Sequence, residues 1–144
     1  MIQGKVVTAD KYEDLMNVWK SVFQETDVNN QFNVKNIYIV LYEGVKEDKP
    51  IGAVVLELID EDYYIDRLAI LSEKRNNKNG EFLLRFAIDK GFSKGYEKIY
   101  TIIQEQQKNL FFRVGFKTTK KDKIISDTIK CEISPDKFYK RCRN

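Results

Sequence analysis

Residues Ser72 to Asn79 (SEKRNNKN) are where this sequence has the residue types and spacing for chemistry. They form a polar turn between an apolar run, Tyr63 to Leu71, and a segment whose apolar positions Leu83, Leu84, Ala87, Ile88 and Gly91 recur at helical spacing. The first N–H groups of a helix have no partner within it, so such a turn suits an anionic ligand. Histidine is absent from the chain. That excludes Ser-His-Asp and Cys-His catalysis and leaves a zinc site only carboxylates and two cysteines, so no metal is expected. Cys131 and Cys142 lack CxxC spacing and are expected to be free thiols in a reducing compartment.

The rest of the chain must position that turn. Its 144 residues fit one domain over 1–144, with 42% hydrophobic and 33% charged residues, as in ordinary globular proteins. A net charge of +3 does not indicate a general nucleic-acid binder. The first residues lack an apolar leader core, and no run approaches the roughly 20 apolar residues that cross a bilayer. A cytoplasmic protein with no membrane contact is expected.

In chain order, Ile2 to Val7 is a short β-prone run, and Tyr12, Leu15, Met16, Trp19, Val22 and Phe23 make one helical stripe. Trp19 reads as core. Glu25 to Lys35 is polar and Asn-rich, a loop. Ile37 to Tyr42 is apolar on both faces, as in a doubly covered strand, and Ile51 to Ile59 is its hairpin partner, interrupted by Glu57. Asp60, Glu61 and Asp62 form an acidic turn before the strand Tyr63 to Leu71. Phe82 and Phe86 widen the apolar face of the following helix, which Gly91 or Gly95 closes. Lys98 to Gln104 reads as a buried strand, reached by a parallel crossover. Gln107 to Val114 can hold two helical turns, Gly115-Phe116 starts another strand, and Ile124 to Ile133 is the last strand candidate. A basic tail, Lys137 to Asn144, ends the chain.

Residues Leu68 to Gly80, LAILSEKRNNKNG, resemble the acetyl-coenzyme A signature of the GNAT superfamily of N-acetyltransferases: an apolar strand, then Arg/Gln-x-x-Gly-x-Gly/Ala at a helix start. Arg75 falls on the first position and Gly80 on the last, while Lys78 stands where the family has glycine. A side chain there meets an unfavourable φ or crowds the phosphates, although its ammonium can also serve them as a point charge. The neighbouring Asn76, Asn77 and Asn79 tolerate left-handed backbone better than most residues. The resemblance implies an α/β (α+β) GNAT fold: a mixed, mostly antiparallel twisted sheet of six to seven strands with a parallel splayed pair, and about four helices. It also implies acetyl-CoA as co-substrate, bound by Leu68, Ile70 and Leu71 on the strand, by the turn Arg75, Asn76, Asn77, Lys78, Asn79, Gly80 and Glu81, and by Gln104 and Asn109 downstream. For Gln104 and Asn109, capping of the short helix is an equal alternative.

The catalytic roles are implied by the same resemblance. The family's frequent general acid, a tyrosine four residues before the Gly-Phe glycine, falls on Phe111, which has no proton to give. Tyr64 or Tyr100, or solvent, must then serve. Acetyl transfer needs a neutral amine, and Glu57 and Asp66 are the strand-borne carboxylates that could take its proton. The implied activity is N-acetyl transfer to a primary amine of a small molecule or peptide by direct attack. A module on the same fold that binds coenzyme A or a protein without turnover is the alternative. A nucleic-acid or protein adaptor carried by the basic tail is a third, nucleic acid being the less expected partner, and a homodimer stays open.

Overall fold

The computed structural model describes residues 1–24, 31–45, 48–75, 77–119 and 127–142. Seven strands form one sheet in the order β1-β2-β3-β4-β5-β7-β6. They are β1 (Ile2–Val7), β2 (Ile37–Glu43), β3 (Lys49–Ile59), β4 (Asp62–Ile70), β5 (Ile99–Gln104), β6 (Lys117–Thr118) and β7 (Thr128–Ile133). Neighbours run antiparallel except β4 and β5. Four α-helices are present among the described residues: α1 (Tyr12–Phe23), α2 (Asn79–Phe92), α3 (Lys108–Val114) and α4 (Pro135–Cys142). This is the mixed, mostly antiparallel sheet with one parallel pair that the sequence implies.

Helices on both faces give two cores. On one face the α2 stripe, Leu83, Leu84, Ala87 and Ile88, is fully buried against Ile39, Leu41, Leu56 and Ile99. Each leucine or isoleucine among them contributes about 1.5–3 kcal/mol when removed from water. On the other face Leu15, Val18 and Trp19 of α1 pack on Tyr38, Val40, Ala53 and Val55. Strand β2 is therefore buried along six consecutive residues, as its doubly apolar sequence requires.

Strand β5 departs from its sequence reading. Ile99, Thr101 and Ile103 are buried, but Ile102 is 56% exposed, because on the α1 side the sheet is open at this strand. Phe82 likewise does not extend the core; it is 45% exposed at the edge of the α2 stripe, whereas Phe86 packs against it. Gly91 sits inside α2 where the backbone meets Ile99 and Leu56, leaving Gly95, at φ +92°, to take the left-handed step beyond the helix. The basic tail is largely helical. Pro135 occupies the first position of α4, which suits its fixed φ, and Phe138 is buried against Phe92. Strand β7 starts at Thr128; positions 124–126 of the expected strand lie outside the described residues, as do 25–30 of the expected loop. Cys131 is a buried free thiol.

Candidate active site

Strands β4 and β5 are paired only from Tyr63↔Ile99 to Ile65↔Thr101. Beyond that point they separate. The buried Thr101 hydroxyl donates to the Ile65 carbonyl at 2.9 Å, so a side chain satisfies the last acceptor where the ladder stops. The gap opens into a cleft of about 1180 Å³, walled by β4 from Ile65 to Ile70, by β5 from Thr101 to Gln104, by the start of α2 and by α3.

One end of the cleft is the turn into α2. Lys78 precedes the helix at φ +61°, so the position where the family has glycine does adopt the left-handed backbone that favours glycine. No side chain caps this helix end. The N–H groups of Asn79, Gly80 and Glu81 consequently have no intrahelical acceptor, and Lys78, Asn79, Gly80 and Glu81 all line the cleft. A Cβ on Gly80 would come no nearer than 3.9 Å to anything, which leaves space beside the backbone. The loop is held from behind: the Asn79 amide donates to the Lys74 carbonyl at 2.9 Å, and Arg75 Nε donates to the Ile70 carbonyl at 3.0 Å. Burial pushes the Glu81 carboxyl up, but hydrogen bonds from Arg85 (3.1 Å) and Arg113 (2.8 Å) outweigh that and hold it below its ordinary value. Its charge is thereby balanced beside the uncapped helix start.

The strand-borne residues are divided. Leu68 and Ile70 line the cleft. The Leu71 N–H is bonded to the Ile51 carbonyl and its C=O to the Lys74 N–H, so neither faces a ligand. By alternation the Ile70 N–H turns the other way, into the gap. Gln104 lines the cleft and also caps the turn leading to α3: its N–H donates to Gln107 Oε1 at 2.9 Å. Asn77 and Asn109 are exposed and not among the cleft walls, and Asn76 lies outside the described residues.

At the other end, Asp66 lines the cleft and Glu57 stands beside it on the same face of the sheet, since Val55 pairs with Asp66 and Glu57 with Tyr64. Burial, and then a hydrogen bond and repulsion from Asp66, push the Glu57 carboxyl up; Arg67 opposes this. Glu57 therefore holds its proton more readily than an isolated carboxyl. Tyr64 is stacked on Tyr100 with centroids 5.4 Å apart, under the Lys130 ammonium, and neither tyrosine lines the cleft. Phe111 does line it, with no hydroxyl, packed on Phe116.

Sequence reasoning missed four contributors. Arg67 and Phe23 wall the acid end, and Trp19, correctly read as core at 2% exposed, also donates its indole N–H to the Arg67 carbonyl at 2.8 Å. Only Thr101, a hydroxyl inside an apolar strand, carried a local signal.

A sequence model described as the acetyltransferase (GNAT) family matches residues 8–116. No curated protein sequence gives a match. Among solved structures, Escherichia coli ElaA superposes with a TM-score of 0.75 at 15% identity, covering 93% of this chain and 100% of that one. The PaiA N-acetyltransferase of Thermoplasma acidophilum in complex with coenzyme A gives 0.70 at 15% identity, over 93% and 99%. A GNAT family acetyltransferase of Elizabethkingia anophelis with acetyl-CoA bound gives 0.71 at 19% identity, over 92% and 97%. With the matched span exceeding half of its length, the chain belongs to the GNAT acetyltransferase family.

Proposed function

We propose that this protein transfers an acetyl group from acetyl-CoA to a primary amine by direct attack, in the cleft between β4 and β5. The single observation that carries the reading is that the parted strands lead from a pair of carboxyls at one end to an uncapped helix start at the other. The N–H groups at 79–81 and the Lys78 ammonium suit a diphosphate, and the Ile70 N–H suits a carbonyl oxygen that gains charge. Two solved neighbours, from Thermoplasma acidophilum and Elizabethkingia anophelis, hold coenzyme A and acetyl-CoA.

In the step itself the amine nitrogen, having given one proton to Asp66, attacks the thioester carbon. The C–S bond breaks as the C–N bond is kept. The second nitrogen proton returns to solvent, and the thiolate is protonated by water, since no tyrosine or cysteine among the described residues lines the cleft. Glu57 assists by exchanging a proton with Asp66. The cytoplasm, rich in acetyl-CoA, is the compartment this reading implies; no helix of the described residues is long and apolar enough to cross a membrane.

Thiol release from acetyl-CoA across a panel of primary amines tests the reading. Amine-dependent release is expected, and acetyl-CoA should raise the melting temperature. The absence of the tyrosine at Phe111 favours one second reading, a coenzyme A-binding module without turnover. A raised melting temperature with no amine-dependent release would establish that module instead.

A further inference from the structure

The acid end of the cleft carries a base as well, put there by an irregularity of β4. Between the pairs Val55↔Asp66 and Ala53↔Ala69 the strand β4 holds one residue more than β3, a β-bulge, and Arg67 within it has φ +54°. Regular alternation would send the side chains of Asp66 and Arg67 to opposite faces. Instead the Arg67 guanidinium lies 5.2 Å from the ring centroid of Trp19 and 5.8 Å from that of Phe23, on the α1 side of the sheet. Asp66, paired with Val55 and so on the same face as Glu57, is on that side too. Consecutive side chains of opposite charge therefore wall the same end of the cleft.

We infer that the acceptor is a zwitterion, an α-amino acid, whose amine meets the Glu57 and Asp66 carboxyls and whose carboxylate is taken by Arg67. The inference rests on the acetyl-transfer reading and narrows its substrate. A guanidinium laid over aromatic rings keeps its N–H groups in its own plane, where a carboxylate can be bound by two of them. A diamine would instead set its second ammonium against the Arg67 guanidinium, where an α-amino acid sets a carboxylate.

The test is calorimetric binding to the protein saturated with coenzyme A, using matched pairs: lysine and cadaverine, phenylalanine and phenethylamine, leucine and isopentylamine. In at least one pair the acid should bind tighter by about tenfold or more, the scale of a charge-assisted pair of hydrogen bonds. Arg67→Asn, which tolerates the left-handed backbone, should bring that ratio close to one. The inference is overturned if no acid binds better than its amine, including the case where nothing binds, or if the preference survives Arg67→Asn. The wild-type comparison stands even if the variant does not fold. Thiol release separates the two ideas: acid-selective binding without release would defeat acetyl transfer alone, and release that prefers the amines would defeat the zwitterion alone.

Discussion

The two ends of the cleft solve the same problem differently. Each places a long cationic residue in left-handed backbone, Lys78 at φ +61° and Arg67 at φ +54°, a conformation that costs roughly 1–2 kcal/mol without glycine. At the α2 end the strained residue is exposed and the helix start beside it is uncapped, so the backbone N–H groups are what a ligand meets. At the bulge the strained residue is half-buried, bound through its carbonyl by Trp19, and a ligand meets side chains. Strain at one end exposes main-chain donors; at the other it re-aims a side chain. The α2 end should therefore tolerate side-chain changes that the acid end does not.

The largest expected effect is at the acid end. Asp66→Asn should lower the rate of thiol release by about 100-fold to 10,000-fold, the range for a lost general base, while acetyl-CoA affinity measured by calorimetry stays unchanged. Loss of both together would show that the two ends are not separable.

Trp19→Phe should come next. It keeps the buried ring but leaves the Arg67 carbonyl without its donor, costing about 1–3 kcal/mol in denaturant unfolding. Its acceptor-dependent kinetics should change while coenzyme A binding does not.

Lys78→Gly should do the opposite at the other end. Relief of the left-handed strain, less the entropy that glycine adds to the unfolded chain, predicts a gain of about 1 kcal/mol or less. Lys78→Glu, by contrast, should weaken coenzyme A binding, and the loss should shrink as salt is raised.

The smallest effect concerns pH. Glu57 lies above its ordinary value of 4.5 in the folded protein, so the stability tied to its neutral form is complete below that value and is lost as pH rises through the raised one. The wild type should lose stability over that rise relative to Glu57→Gln, as read by thermal unfolding at each pH. Parallel curves would mean that Glu57 holds its proton no more readily than an isolated carboxyl.

The turn into α2 and the two carboxylates Glu57 and Asp66 could be picked out in the sequence, whereas the bulge that brings Arg67 beside them could not, for a physical reason. The turn Arg75 to Gly80 is local: strand, cap and helix stripe lie within about one βα unit, and Lys78 announces the strain by occupying a position where glycine belongs. The bulge at Arg67 is a mismatch between two strands, visible only once β3 and β4 are in register. Period-two reading puts Arg67 on the wrong face for that reason. Ile102 failed similarly, because whether an apolar strand is covered twice depends on where a distant helix ends. That the Leu71 N–H is engaged by Ile51, on the neighbouring strand, was equally invisible. The core stripes of α1 and α2, set by local spacing, came through apart from Phe82 and Phe23, the latter 40% exposed at the cleft.

If main-chain donors at the start of α2 and on the parted strand hold acetyl-CoA, their amides must respond to it. Chemical-shift changes on titrating coenzyme A into the isotope-labelled protein are the most direct measurement of that. The largest changes are predicted at Ile70 and at Lys78 to Glu81, with small ones at Asp66 and Arg67. Saturable binding that leaves the amides of 78–81 unmoved would contradict the assignment.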